Sequence, residues 1–584
     1  MKYLNKKKYL ITSYRKLNYP DGAELLFVDE YLYNLYNKKE KDPFKCSYIN
    51  SFQKVIKTIN LNNNILNKKL KIYRDKISII LNLYHKKNYS TKYWGLVIDT
   101  FLINLIQSII TEIELLKKIK INSFSPHNEI VEEKIIYNLF DFNIHRPTNN
   151  FKKLLSTITL QEIGSKKIHL RYKKFNKTKI VEQTSYNIDK KKIHVSFLNF
   201  FIKLYINFFK PVVIANGYFG IKNTIKIFLM SFGKILIIPG KFLFNKSYID
   251  YHLDEKFRQN IKIPEKDLID KVFNKIIGKL LPVSYLENFS VIQKNIYKIS
   301  NSIQKIGTAS LHYTCEYFTI LAAEIINRGG KFLTFQHGGL LSKTIKPSLE
   351  YLDQKYAHQN YNFDNKKGLG QHFFNYEKIS FDEIKKRNSI LILNTDISFD
   401  STTDCHQHFN HPYLDPSQIF YKKLDETTKK KTLIKLFPQK NSFKVKKIWV
   451  QKFGKNTNFT PFFLNARRNN FFNAKLVILN DVNTPLYELI YSGLPFILVE
   501  NFTERPDLKE TFKKKLINLK KINILFDDPT KAAKFVNSLI KNNYIEKWWE
   551  KTYKTNIFLD LKNHIIVEKK NYLLMIIKNL TSLK

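Results

Sequence analysis

The sequence predicts an α/β protein made of two doubly wound units that face each other across a cleft. Three observations predict it. "KPVVIANGYFG" (210–220) and "GKILIIPG" (233–240) are apolar β-branched runs closed by glycine, with a helix-like "IKNTIKIFLMS" between them. That is the strand–helix–strand pattern of a parallel sheet. "CEYFTILAAEIINRGG" (315–330) reads as a helix closed by two glycines and leads into the strand "KFLTF" (331–335). Four further strand-like runs, "SILILNT" (389–395), "KKTLIKLFP" (430–438), "AKLVILND" (474–481) and "PFILVEN" (495–501), alternate with helix or loop and predict the second unit.

In chain order, "ELLFVDEYL" (24–32) is a plausible first strand, and from about 48 to 175 apolar residues return every three or four positions, which predicts mostly helix. Within that stretch "GLVIDTFLINLIQSIITEIELL" is long enough to cross a bilayer, but Asp99, Asn104, Gln107 and Glu112 interrupt it, so a buried helix is expected. "SFLNFFIKLYINFFK" (196–210) is aromatic and carries Lys203 and Lys210. A core helix is the preferred reading, and a helix lying on a membrane surface the alternative. Helix is again expected to about 300, "YNFDNKKGLGQHFFNYEK" (361–378) reads as an interdomain linker, and the tail from "DDPTKAAKFVNSLI" onward reads as helical.

Composition bounds the function. The chain has 584 residues, 43% of them hydrophobic and 14% aromatic, which suffices for two or three folded cores. Its net charge of +48 first suggests nucleic acid or an anionic membrane. Only ten of the 98 basic residues are arginine, however, and the lysines are spread along the whole chain. Readers of duplex lean on arginine forks, so a solvated lysine surface is preferred and nucleic acid is not expected as a partner. Cys46, Cys315 and Cys405 give neither a disulfide framework nor a CxxC pair, the N-terminus lacks an apolar leader core, and a cytoplasmic location is expected.

Chemistry in open α/β sheets gathers beyond the carboxyl ends of the strands. In "LVILNDVNTPLYELIYSGLPFILV" a strand ends at Asn480 and Asp481, and Thr484 and Pro485 open a helix as N-cap and first helical residue. The amides of Leu486 and Tyr487 then form an anion site, and Glu488 is placed to reach a ribose hydroxyl. An ordinary capped helix is the plain alternative. Lys435, inside "LIKLFPQ", is either a phosphate partner or a lysine snorkelling from the sheet face. His406, His408 and His411, with Asp404 and Cys405, are dense enough for zinc or copper but fit no structural zinc spacing. "FQHGG" puts Gln336, His337, Gly338 and Gly339 at a strand end. There His337 can take a proton from an acceptor hydroxyl or donate to a phosphate, or it is only a turn residue. No GxGxxG or GxxxxGK[ST] loop occurs.

Six segments carry a wider resemblance: "YWGLVIDTFL" (93–102), "LPVSYLENF" (281–289), "AAEIINRGGKFLTFQHGG" (322–339), "LIKLFP" (433–438), "NTPLYELIYSGLPFI" (483–497) and "DDPTKAAKFVNSLIKNNYIEKWWEK" (527–551). In this order they resemble a family of bacterial transferases of surface-carbohydrate biosynthesis with a QHGG motif. That family is distantly related to capsule-type sialic-acid and Kdo transferases and to the glycerophosphotransferases of wall teichoic acid.

The resemblance implies a GT-B-like fold, with two Rossmann-like domains facing a cleft. Residues 1–385 would form the acceptor-side domain with its helical insertion (about 48–175), residues 386–535 the nucleotide-donor domain, and residues 536–584 helices packing back on both. It implies a glycosyltransferase moving a sugar from a nucleotide-activated donor to a surface polysaccharide or its lipid-linked precursor, with no metal cofactor. His337 would be catalytic, Gln336, Gly338 and Gly339 would line the cleft, and Lys435, Thr484, Pro485, Leu486 and Glu488 would hold the donor. A phosphoryl-alcohol transferase and a catalytically lapsed carbohydrate-binding relative are the alternatives. Peripheral contact with an anionic inner membrane is a further expectation. The chain departs from the family at Leu340, Leu341 and Ser342, where a small residue, tyrosine and glycine are usual, and at Lys435, where arginine is usual.

Overall fold

The computed structural model describes residues 8–12, 23–29, 33, 45–50, 63–117, 127–132, 134–146, 148–164, 168–173, 193–243, 253–336, 338, 343, 348–362, 378–394, 416–436, 445–455, 457–460, 473–482, 484–505, 508–566 and 571–582. The two predicted α/β units are present, and each is a five-stranded, wholly parallel sheet. The first consists of β6 (Val212–Ala215), β7 (Ile235–Ile238), β8 (Lys305–Thr308), β9 (Lys331–Phe335) and β10 (Gln359–Tyr361) in the order β10-β9-β8-β6-β7. The second consists of β11 (Ser389–Asn394), β12 (Thr432–Leu436), β13 (Ala474–Leu479), β14 (Phe496–Val499) and β15 (Leu525–Phe526) in the order β12-β11-β13-β14-β15. Numbered within its own sheet, each runs 2-1-3-4-5. This doubly wound order has its switch point between the first and third strands, here between β6 and β8 and between β11 and β13.

The central strands read as continuous apolar runs because helices cover both faces of each sheet. Every residue of β6, β13 and β14 is buried. In register, Val213 lies opposite Ile306 and Ile306 opposite Phe332, while Ile478 lies between Ile392 and Ile497. Two glycine-bearing helix ends then return the chain to a strand: Gly329 (φ +82°) after helix Glu316–Asn327 and Gly493 (φ +80°) after helix Thr484–Ser492.

The stretch from 48 to 175 is mostly helical, as expected, but it also holds strands. Helices Asn63–His85, Thr91–Leu116, Leu139–His145 and Asn149–Glu162 are there, but so is the parallel pair β4 (His127–Glu132) and β5 (Ile168–Lys173). Ahead of them β1 (Lys8–Ile11), β2 (Glu24–Asp29) and β3 (Lys45–Asn50) form a separate parallel sheet in that order. "IHLRYK" alternates apolar and polar residues at the period of a strand, which a window tuned to helical spacing passes over. Helix Thr91–Leu116 meets the length and apolarity of a membrane span, yet 94% of its apolar window is buried inside the first unit. Asp99, the acid that interrupts it, is fully buried and is bound by Arg74 at 3.0 Å and by the Tyr356 hydroxyl at 2.5 Å.

The preferred reading of 196–210 is corrected. Helix Ile193–Phe209 packs Ile206 into the core, but Leu198, Phe200, Phe201, Leu204, Phe208 and Phe209 are exposed. Asn199, Lys203 and Asn207 give it one polar stripe, but spacing alone cannot reveal which apolar side of such a helix meets the core.

The chain crosses between the units twice. After the second sheet, helices Ile545–Tyr553 and Asn556–Ile565 complete that unit's core, and the last helix, Tyr572–Ser582, returns to the first sheet. There Ile576, Ile577 and Leu580 pack against Ile214, Ile227 and Ile235. Most of the linker expected at 361–378 lies outside the described residues.

Candidate functional site

The carboxyl ends of both sheets converge. Strand β9 delivers Gln336 and Gly338, and β13 delivers the start of helix Thr484–Ser492. A Cβ placed on Gly338 would stand 2.9 Å from the Thr484 hydroxyl oxygen. The two segments singled out by sequence, 146 residues apart in the chain, therefore touch. Beside them the Lys509 amide donates to the Lys343 carbonyl at 2.8 Å, a second link between the units.

Gln336 is fully buried. Its amide donates to the Tyr361 carbonyl at 3.0 Å and its side-chain nitrogen to the Gly338 carbonyl at 2.7 Å, which pins the turn. His337 and Gly339, like Leu340, Leu341 and Ser342, lie outside the described residues, so the site is built from the groups on either side of them.

On the facing unit Thr484 is the first helical residue, one place inside the N-cap position expected of it. Asn483, the residue before it, lies outside the described residues. Thr484 and Pro485 are half-buried, whereas Leu486 and Glu488 are buried, Glu488 to 2% exposure. Lys435 registers with Leu393 of β11, which registers with Leu479 of β13. It thus stands two strands, about 10 Å of backbone, from the strand that launches the helix.

One group at this end of the sheet escaped the sequence reading. The fully buried Arg505, in the turn after β14, donates to Asp481 at 2.9 Å. The same carboxylate oxygen accepts the Val482 amide at 2.7 Å. This pair braces the turn between β13 and the helix start.

At the switch point of the first sheet, β6 ends in a turn where Asn216 (φ +56°) and Tyr218 (φ +58°) both adopt the left-handed region. Asn216 Oδ1 accepts the Gly240 amide at 2.8 Å, tying the ends of β6 and β7 together. Left-handed backbone in a bulky residue such as tyrosine is held only where the surroundings enforce it. The Tyr218 hydroxyl lies 3.4 Å from Ser310 Oγ beyond β8.

A scan against protein-family models matches the LIC12162 family transferase model over residues 8–580. The chain belongs to the LIC12162 transferase family. A search of curated proteins finds no match. Among solved structures, a Listeria monocytogenes protein assigned as a UDP-N-acetylglucosamine 2-epimerase aligns at 11% identity, over 64% of this chain and 97% of its own, with a TM-score of 0.34. The S. aureus MnaA–UDP co-structure aligns at 10% identity, over 75% of this chain and 94% of its own, with a TM-score of 0.23.

In this LIC12162-family chain a second histidine has the outward form of catalytic machinery. His312 Nε2 lies 2.7 Å from Asp353 Oδ1, and both side chains are buried. The imidazole packs on Phe332, early in β9, and Thr100 of helix Thr91–Leu116 donates to the His312 carbonyl. The pair is therefore packed inside the first unit, where it links helix Leu311–Thr314 to helix Ser348–Tyr356. Among the described residues no group of three or more His, Cys, Asp or Glu is placed to hold a metal, and the His406, His408 and His411 cluster lies outside them.

Proposed function

We propose that this transferase moves a glycosyl group from a nucleotide-activated donor to the hydroxyl of a glycan or lipid-linked glycan. The observation that carries the reading is the approach of Gly338 to Thr484. It brings a histidine-bearing strand end against a helix N-terminus, at the ends of two sheets where ligands of such folds bind. The donor's phosphate rests at the start of helix Thr484–Ser492, whose dipole favours an anion. Lys435 supplies a positive charge from the neighbouring strands, and the buried Glu488 receives a ribose hydroxyl. His337 takes the acceptor proton as the acceptor oxygen bonds to the anomeric carbon. The bond from that carbon to the donor phosphate breaks, and the nucleotide leaves with its electron pair, stabilised by groups already in place. Transfer of a phosphoalcohol would use the same anion cradle, and the mass of the product distinguishes the two.

The test is a thermal-shift panel of CMP, CDP, UDP and GDP. One of them should stabilise the protein by about 2.7 kcal/mol at a hundredfold excess over its Kd. Lys435→Ala should weaken that shift, and His337→Ala should keep it while abolishing turnover. If no nucleotide in the panel moves the melting temperature, the donor site is not where it is placed here.

A further inference from the structure

Two helices of the first unit turn apolar stripes toward water. On helix Ile193–Phe209, Leu198, Phe201, Leu204 and Phe208 recur at helical spacing and are 39–75% exposed. On helix Gly220–Met230, Ile221, Ile225 and Leu229 follow at intervals of four and are 54–82% exposed. The two helices are neighbours. Tyr205 of the first stacks on Phe209 at 4.7 Å, meets the Phe228 ring at 5.8 Å and donates its hydroxyl to the Gly233 carbonyl at 2.9 Å. In the turn after the second helix, Phe232 is 92% exposed with φ +51°, a left-handed conformation that holds a phenylalanine out in solvent. Apolar surface this continuous marks an interaction site.

The charge around it names the occupant. Residues 190–249 contain ten lysines and no aspartate or glutamate, where the chain's average would place about five acids. Lys210, Lys222, Lys226 and Lys234 are exposed beside the stripes. Aromatic and aliphatic side chains with exposed lysines beside them, in a stretch of chain that has no acid, match an anionic lipid surface, in which apolar groups enter the acyl boundary while amines meet headgroup phosphates.

We infer that this two-helix face docks the protein peripherally on an anionic bilayer. The docking stands apart from the reading of the cleft, and one consequence alone rests on that reading. Helix Gly220–Met230 starts at the carboxyl end of β6, beside the half-exposed Tyr218, so the docking face begins at the cleft rim. An acceptor anchored in the bilayer would reach the site without leaving the membrane surface.

Flotation with vesicles tests the inference, using the full chain without nucleotide. Vesicles of phosphatidylcholine mixed with phosphatidylglycerol should carry the protein up the gradient far better than phosphatidylcholine alone. Lys222→Gln with Lys226→Gln should lower partition into the anionic vesicles by roughly 25-fold, about fivefold for each lysine. Phe208→Ser and Phe232→Ser should each lower it by roughly tenfold or more. These positions are exposed, so melting temperature and any nucleotide-induced shift should be unchanged. That separates a failed docking face from a failed donor site. The inference is overturned if the parent floats with neither vesicle, if the variants float as well as the parent, or if the serine variants only turn a dimer into a monomer in sedimentation.

Discussion

Arg505 shows what a scarce residue means in a biased chain. Of 98 basic residues only ten are arginine, and four of those described are buried: Arg74, Arg146, Arg258 and Arg505. Arg74 holds Asp99, Arg258 grips both carboxylate oxygens of Glu287 at 2.7 Å, and Arg505 holds Asp481. A planar guanidinium fork is the group that lysine cannot replace at such places. Arg505→Ala strands a buried carboxylate, so it should cost about 3–5 kcal/mol in urea unfolding. Arg505→Lys keeps the charge and should cost visibly less. Equal, small losses in both variants would show that the pair does not brace the turn. Gly95 is a second residue chosen by contact. A Cβ there would collide with the Tyr356 hydroxyl, and that hydroxyl binds Asp99. Gly95→Ala should therefore destabilise by about 1–3 kcal/mol, as overpacking does, and Tyr356→Phe should relieve part of the loss in the double variant.

At the scale of elements, legibility followed burial. The runs of β6, β13 and β14 are apolar and buried at every residue, and those of β7, β9, β11 and β12 are mostly apolar, so each stands out from its neighbours in sequence. Strand β15 is two residues long and β10 is "QNY", too short or too polar for any period to register. The start of helix Thr484–Ser492 was legible to within one residue because threonine and proline have fixed roles at helix openings. Arg505 was not, since its partner lies 24 positions away and no local pattern joins them. Helix Ile193–Phe209 was misread because an apolar side gives the same spacing whether the core covers it or leaves it exposed. The far end of helix Thr484–Ser492 shows a long-range tie of the same kind. There Trp549 donates its indole N–H to the carbonyl of Gly493 at 2.7 Å. Gly493→Ala forces an L side chain into the left-handed region and should cost about 1–2 kcal/mol. Trp549→Phe loses one hydrogen bond, about 1 kcal/mol. Because both act on one helix end, a double-mutant cycle by urea denaturation should show coupling rather than simple addition.

At the scale of the whole molecule, two histidines of the first unit, the buried His145 and the half-buried His85, make stability sensitive to acid. Burial of His145, with Lys134 adding repulsion, lowers its pKa to about 3. Partial burial also lowers the pKa of His85, against the opposing hydrogen bond with the Tyr285 carbonyl. Above the ordinary imidazole pKa, near 6.5, folded and unfolded chains alike hold these groups neutral, and their contribution to stability is fully present. As pH falls below 6.5 the unfolded chain takes up protons that the folded chain refuses. Stability is then lost, at about 1.4 kcal/mol per pH unit from His145 alone, until the folded group also protonates near pH 3. Hydrogen exchange between pH 6 and pH 4 should show the amides around helices Leu139–His145 and Asn149–Glu162 opening in step with this loss. His145→Phe keeps an aromatic ring beside Phe151 and removes the titration, so it should flatten the pH dependence of stability without changing its value at pH 7.5 by more than about 1 kcal/mol. A parent and variant with parallel slopes between pH 6 and pH 4 would falsify the assignment of acid sensitivity to this imidazole.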